Sequence, residues 1–533
     1  MALVTHAGLD DGSSMNFSRI AAAGIAATAL GTALPAVASA ADYCVAPNYD
    51  CGPNNVQKLQ DALDLAAGTQ EADRVLVGEG TYVAPPVQTA FNYTNLDSQV
   101  EIVGAGRGRT VLTAQELAID RVLYLRGAQG SSVHDLTIRI PRKANPGFRG
   151  LVTTNIARRL EIVADDVQVG PITGALLDQY GVLEDSSVTL STEQDTTGVQ
   201  TSSPYPERAV TVRGSNVVAK TGIDTMGYGT VERSRVAGGN VGLLARGGET
   251  TLRDSLVRQR WTYGTAVKAM PYSGWDSKLI ADGVTIIGQG TPDVAGIVAQ
   301  SDSANNVDVK VSNSVIRGAL NALGAVANGA GTAKISAEYS DYDAGWNVAI
   351  GAATISESHV RNAGDARFVD PANGDYRLRL DSPLVDAGDP DVPQGVDLAG
   401  NPLVADGNGD GFARRDLGAY ELQPQPASAP AGDTQAPVIS AFRARAARVR
   451  YTLSEKARVT VKIQRRLAGK RARFRTLGRV TKNAARGANR LPLSRRIRVR
   501  AVRPGRYRAV ITAVDGAGNR SAPRVAVFRV PRR

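Results

Sequence analysis

Apolar and polar residues alternate in short runs along most of this chain, and between residues 209 and 360 one phrase keeps returning. Its copies are Glu232-Arg233-Ser234-Arg235-Val236, Arg253-Asp254-Ser255-Leu256-Val257, Ser312-Asn313-Ser314-Val315-Ile316 and Ser356-Glu357-Ser358-His359-Val360. Each reads as a polar residue, then Ser, any residue, and Val or Ile. Weaker copies fall in the longer gaps, at Ala281-Asp282-Gly283-Val284-Thr285 and Ala337-Glu338-Tyr339-Ser340-Asp341. A period in the low to upper twenties on β-branched residues, punctuated by Gly, predicts a stacked β architecture.

Strict alternation marks the strands. Val307-Asp308-Val309-Lys310-Val311, Val100-Glu101-Ile102-Val103-Gly104 and Ala209-Val210-Thr211-Val212-Arg213-Gly214 place apolar residues on one face and charged or polar ones on the other. Each rung is expected to hold three short strands, with rungs about 4.8 Å apart; some thirteen rungs of about 24 residues would make a rod roughly 60 Å long. Ser and Asn returning at one position predict an internal ladder at a corner, bonded along the rod axis. Residues 100–360 offer no convincing long helix. Residues 55–67 do: Val56, Leu59, Leu63 and Ala66 share a helical face, and the helix is expected to cover the open end of the first rung.

The opening, Leu59-Gln60-Asp61-Ala62-Leu63 and then Val75-Leu76-Val77-Gly78-Glu79-Gly80-Thr81-Tyr82, resembles right-handed parallel β-helix proteins of the pectin-lyase-like class. The series Asn373-Gly374-Asp375-Tyr376-Arg377-Leu378, Ser382-Pro383-Leu384-Val385-Asp386-Ala387-Gly388, Asp397-Leu398-Ala399-Gly400-Asn401-Pro402 and Asp416-Leu417-Gly418-Ala419-Tyr420-Glu421 is similar to the C-terminal end of exported bacterial β-helix proteins. That likeness spans roughly residues 50–422 and implies fold and export; the fold hosts lyases, hydrolases and adhesins, so it implies no single activity. Beyond it, residues 423–437 form a Pro-rich extended linker. Alternation then resumes, and strands at this spacing in under about 100 residues predict a β-sandwich. Pro504-Gly505-Arg506-Tyr507 and Asp515-Gly516-Ala517-Gly518-Asn519-Arg520-Ser521 resemble the last strands of bacterial Ig-like or fibronectin-type modules. The expected plan is a leader over 1–40, an all-β solenoid over 41–422, the linker, and a sandwich over 438–533.

Composition adds an address. Met15-Asn16-Phe17-Ser18-Arg19 is a basic lead, residues 20–37 are apolar, and Ala38-Ser39-Ala40 is an A-x-A cleavage site, so a secretory signal peptide cut before Ala41 is expected. An uncleaved membrane anchor is the alternative. No later apolar run approaches the ~20 residues that span a bilayer. The mature chain is therefore expected to be a monomer that is secreted, extracellular or held at the cell surface. Export makes a Cys44–Cys51 disulfide the natural assignment for the two cysteines, with two free thiols as the alternative. Charge is divided unevenly. Residues 441–533 hold 29 of the 62 cations but two of the 51 acids, Glu455 and Asp515; the remainder carries 33 cations and 49 acids, a net of −16.

Candidate chemistry is sparse. His134 and His359 sit in strand-like phrases and no G-x-S-x-G elbow occurs, which argues against a histidine-based triad. Asp165-Asp166 is a poor catalytic dyad, because adjacent strand residues face opposite ways. Residues 258–278 gather Arg258, Arg260, Trp261, Tyr263, Lys268, Tyr272, Trp275, Asp276 and Lys278 in a chain with 5% aromatics. Aromatic faces stack on sugars and cations pair with uronates, so this stretch is a candidate carbohydrate site; packing of the tryptophans onto the rod is the alternative. Asp406-Gly407-Asn408-Gly409-Asp410-Gly411 opens like a calcium loop, with Asp416 as a displaced fourth ligand, and would hold a structural calcium. The basic C-terminal domain should attract anionic envelope polymers, with nucleic acid ranked below them. Together these predict an exported surface protein that interacts with acidic polysaccharide. A polysaccharide lyase or glycosidase, and a purely structural rod, are the other readings.

Overall fold

The computed structural model describes residues 40–45, 50–84, 90–116, 120–164, 170–342, 346–391, 394–424, 433, 435–445, 448–467, 473–492 and 504–531. The expected signal segment, most of the linker and the Asp165-Asp166 pair lie outside them. Within them, parallel strands stack into two long sheets, one of 14 strands and one of 17. The 14-stranded sheet runs from Asn55–Val56 and Asp42–Val45 at one end to Ala353–Ser358 at the other. At about 4.8 Å per strand this is a rod of roughly 60 Å.

Its core follows from the alternation. Val212, Val231, Leu252, Ala281, Val311 and Ala337 are register partners from one turn to the next, and all are buried. They belong to one continuous cluster that extends from Tyr43 to Tyr342. Each fully buried Val or Leu contributes about 1.5–3 kcal/mol. The expectation of three separate strands per turn holds only in part. Asn216–Gly227, Arg235–Arg246, Thr285–Ser301 and Val315–Ala327 cross a bend without breaking. Glycines also stack from one turn to the next within the strands. A Cβ on Gly198, Gly222 or Gly242 would lie 2.5–2.6 Å from the carbonyl oxygen of the next turn. Many glycines thus serve close approach inside a strand rather than connectors between strands.

The recurring phrase is the corner where the chain leaves the first sheet. One residue there is left-handed in ten successive turns, from the strand Ser132–His134 onward: Asp135, Arg159, Asp185, Gly214, Arg233, Asp254, Gly283, Asn313, Tyr339 and His359, with φ of 42–64°. The residue after it points inward. At Ser186, Ser215, Ser234, Ser255, Ser314 and Ser340, Oγ donates to the carbonyl two residues earlier at 2.7–2.9 Å. The same Oγ accepts the N–H at the matching position of the preceding turn at 3.0–3.2 Å. The expected ladder is present, but its serines bond to backbone rather than to one another. Two copies deviate. Val284 fills the serine position after Gly283. In the last copy the phrase is displaced by two residues: pairing of Glu338 with Ser358 makes His359 the left-handed residue and puts Val360 at the inward position. The His359 ring stacks on Tyr339 at 4.5 Å.

At the N-terminal end, the helix is Leu59–Ala67, shorter than the expected 55–67, because Asn55–Val56 pairs as a strand beside Asp42–Val45. Leu59, Ala62, Leu63 and Ala66 join the rod core. Cys44 and Cys51 form the disulfide. After the last turn, the chain doubles back along the corners as a strap. Gly418 N–H donates to Asn313 O at 2.8 Å and Ala419 N–H to Thr285 Oγ1 at 2.9 Å. Arg415, 1% exposed, reaches Asp254 at 2.5 Å and Asp282 at 2.8 Å. A Cβ on Gly283 would overlap that guanidinium, so the corner glycine makes room for it. Farther on, Ile439–Arg445, Arg448–Leu453 and Gly487–Pro492 form one antiparallel sheet. Ala457–Arg466, Phe474–Ala484, Gly505–Val514 and Arg524–Val530 form a second, and both feed one buried cluster around Val449, Tyr451, Val461 and Ile511.

Ser255→Ala strips the Ser234 N–H of its acceptor without opening a large void. Urea unfolding is expected to show a loss of about 1–3 kcal/mol; an unchanged midpoint would mean the ladder adds nothing to stability.

Candidate functional site

The nine residues of the 258–278 stretch do not form one site, because the stretch turns two corners. Arg258 lies over the ring of Tyr376 in the strap, 5.7 Å from its centroid. Trp261 packs beside Tyr263 at 5.0 Å and under Lys220 at 5.8 Å. The indole Nε1 of Trp261 is buried with no hydrogen-bond partner, and its ring abuts Gly239. Arg260 is exposed beside it, its N–H bonded to Gly238 O. This group follows the packing alternative more than a sugar platform. Lys268 stands on the 17-stranded sheet, in register with Leu244 and Val298.

Tyr272, Trp275, Asp276 and Lys278 are the part that meets solvent as a unit. Tyr272 and Trp275 bond to each other across a tight turn whose inner residues, Ser273 and Gly274, are both left-handed. They are 40% and 42% exposed. Arg246 lies against the Tyr272 ring at 4.8 Å and grips buried Asp224 through two bonds. Asn305 Nδ2 braces the turn by donating to Gly274 O at 2.7 Å.

Trp275 walls a groove of about 910 Å³ that lies over the strands Gly248–Arg253, Ser277–Asp282, Val307–Ser312 and Ala333–Glu338. One outward row crosses its floor. Glu249, Lys278, Asp308 and Lys334 are successive register partners, so charge alternates rung by rung along the rod axis. Lys278 pairs with Glu249 at 2.8 Å. Among the described residues, Asp308 and Lys334 have no ion pair. Asp276 is held below the ordinary carboxylate range by the Asn306 N–H and by the side-chain amides of Asn306 and Asn305. Its bonds run along the corner at 2.7–3.3 Å, which makes it a brace rather than an acid–base group. Sequence reasoning missed Glu249, Asp308 and Lys334. Their outward alternation was visible, but nothing in one strand says which residue stands beside it in the next.

The calcium-like loop is also rearranged. Asp406 and Asp410 come together with Asp386, a carboxylate oxygen of each lying within 4.8 Å of the others. Asp416 is not with them. It is buried, accepting N–H bonds from Asp386 and Leu422 at 2.7 and 2.6 Å, while Glu421 accepts from Ala405 and Asp416 at 3.1 and 2.9 Å. Asn408 turns its amide toward Asp410 within the loop. Neither histidine has triad geometry. His134 sits between Asp135 at 2.7 Å and Glu101 at 2.9 Å, and His359 faces Tyr339.

No protein-family model and no curated protein matches this chain. Among solved structures, the A-module of the mannuronan C-5 epimerase AlgE4 from Azotobacter vinelandii is similar at TM-score 0.31 and 12% identity, covering 57% of this chain and 95% of that one. The catalytic domain of a GH87 α-1,3-glucanase in complex with nigerose gives TM-score 0.25 and 9% identity, covering 59% and 68%. Superposition this loose transfers neither a site nor an activity. No described helix is long and apolar enough to cross a membrane.

The strap carries a pH signature. Burial lifts the Asp254 carboxyl to about 6, outweighing the attraction of Arg415. Burial is also the main cause that raises Asp386, Asp416 and Glu421, with neighbouring carboxylates adding to it. Groups raised above the usual carboxyl value of about 4 favour the folded chain when protonated. That stabilisation is complete below about pH 4 and fades as pH climbs through 6 and above. In a chelating buffer, thermal unfolding is therefore expected to begin at lower temperature at about pH 8.5 than at about pH 5.5; a transition that rises across this window would contradict the assignment.

Proposed function

We propose that the rod binds a linear, carboxylate-bearing polysaccharide along its axis, in the groove walled by Trp275. One observation carries this reading: an exposed indole stands over a row of four charged side chains, one from each turn. Strands about 4.8 Å apart advance by roughly the length of one sugar in an extended chain, so every second sugar would meet a lysine. Trp275 would stack on an apolar sugar face. Lys334, without an ion partner, would take a sugar carboxylate, and Lys278 could exchange Glu249 for another. The outward Asp308 would accept hydroxyl protons. In this reading the chain is exported, and its basic C-terminal domain attaches the rod to anionic polymers of the cell envelope.

Trp275→Ala is expected to weaken binding to polygalacturonate or alginate about tenfold or more, with the unfolding temperature unchanged. Equal binding by the variant would sink the groove. The same incubation, followed for new reducing or unsaturated ends, tests whether the rod cleaves what it holds.

A second proposal concerns a structural calcium ion held by Asp386, Asp406 and Asp410. Asp386 Oδ2 is buried with no hydrogen-bond partner, while Oδ1 accepts the Arg414 N–H at 3.2 Å. Hard oxygen donors from two segments suit Ca²⁺, which would tie the loop to the strap. Calcium is expected to raise the unfolding temperature in wild type and to do nothing in Asp386→Asn; no shift in wild type would remove the ion from the account.

A further inference from the structure

The C-terminal domain breaks a rule that β-sheets otherwise keep. Like charges directly opposite one another on neighbouring strands are destabilising. Yet Arg443, Arg450 and Arg490 are direct partners across all three strands of the smaller sheet, and Arg445 faces Arg448 two residues along. The alternate residues Val449, Tyr451, Leu453 and Leu491 are buried, so the arginines share the outward face. None of the five has an ion pair among the described residues. Crowding shows in Arg448, whose pKa is lowered by Arg490, Arg450 and Arg445 in that order. The two acids of the domain do not relieve it. Glu455 and Asp515 cluster with Asp433, beyond the Leu453 end of the central strand, whereas the arginines occupy its Arg448 end. The larger sheet also opposes Lys462 to Arg479, Arg465 to Arg475 and Arg506 to Arg529, but each as a single pair. Three arginines in one row beside a further pair concentrate the repulsion on the smaller sheet and point to a ligand that supplies the missing charge.

The face also limits which polyanion fits. Its cations are all guanidinium forks, which bind oxyanions through paired N–H groups. Strands about 5 Å apart place neighbouring forks where one tetrahedral phosphate can bridge two of them, since its free oxygens diverge. A planar carboxylate matches one fork edge-on through both oxygens, which favours one-to-one pairing. Nucleic acid needs platforms on which bases stack. Here Tyr451 is buried and Phe442 packs against the core, so the described face offers no exposed ring. We propose that the outward face of Ile439–Arg445, Arg448–Leu453 and Gly487–Pro492 binds a linear phosphodiester polymer without bases, of the polyol-phosphate kind. This deepens, and rests on, the reading of the domain as the envelope attachment.

The test uses the full chain and synthetic poly(glycerol phosphate), with single-stranded DNA and polygalacturonate alongside, over a series of salt concentrations. The triple variant Arg443→Gln, Arg450→Gln, Arg490→Gln is compared with Arg458→Gln, Lys462→Gln, Arg479→Gln on the outward side of the larger sheet. The first triple is expected to lose about tenfold or more in affinity for the polyol phosphate and to flatten the salt dependence by two to three ions' worth, roughly 0.7–0.9 per lost contact. Removing opposed like charges should leave its unfolding temperature equal or higher, so a loss of binding cannot be blamed on misfolding. The second triple should change affinity by less than about twofold. Equal losses in both triples would overturn the site, leaving diffuse charge as the cause. Tighter binding of DNA or polygalacturonate would overturn the ligand class. No binding of wild type to any of the three polymers would instead remove the attachment reading, and the proposal with it.

Discussion

Every turn of the rod must leave the first sheet at the same point, and the rest of the molecule depends on that constraint being met. Side chains alternate with a period of two, so a slip of one residue would turn each buried row outward. The corner prevents it with a left-handed residue, followed in six turns by an inward serine. The Oγ of that serine takes a backbone N–H from the turn before. Buried N–H groups left without acceptors cost about 1–3 kcal/mol each, so the pattern penalises any turn that starts early or late. Strands in register then build the core and set the outward rows.

The same corner has a second face. Its left-handed residues project away from the core, and around 254–313 they receive the strap. Arg415 is buried between Asp254 and Asp282, a pair whose desolvation is costly and whose rupture would leave charge stranded. Asn313 bonds to the strap through its carbonyl and its Oδ1. Buried carboxylates continue along the strap at Asp416, Glu421 and Asp397, each satisfied mainly by backbone N–H groups. Irregular chain is held in one conformation there by polar bonds, where the strands rely on ladders and apolar rows.

Surfaces follow the same logic. Because outward residues align across turns, short charged patterns within strands become long rows on the rod, such as Glu249, Lys278, Asp308 and Lys334. In the C-terminal domain antiparallel pairing concentrates one sign of charge instead, and arginines from distant parts of the chain meet on one face. Rod and domain thus present contrasting electrostatic surfaces, one mixed and net acidic, the other strongly basic.

Much of the fold was legible in the residues. The Ser-x-Val phrase, the alternation in Val307-Asp308-Val309-Lys310-Val311, the cysteine pair and the division of charge are set by covalent spacing over a few residues, which is where sequence patterns are strongest. What stands beside what was not legible. The turns differ in length, so the partner of Lys278 in the next rung depends on how much chain the intervening loops consume. For the same reason the 258–278 cluster split at its corners, leaving Trp275 over the groove and Trp261 against the rod. Asp416 looked like a ligand by its spacing from Asp406, yet the strap turns it inward and brings Asp386 in its place. Local periodicity decided that there would be a ladder and a core; only the stacking of unequal turns decided which side chains share a face.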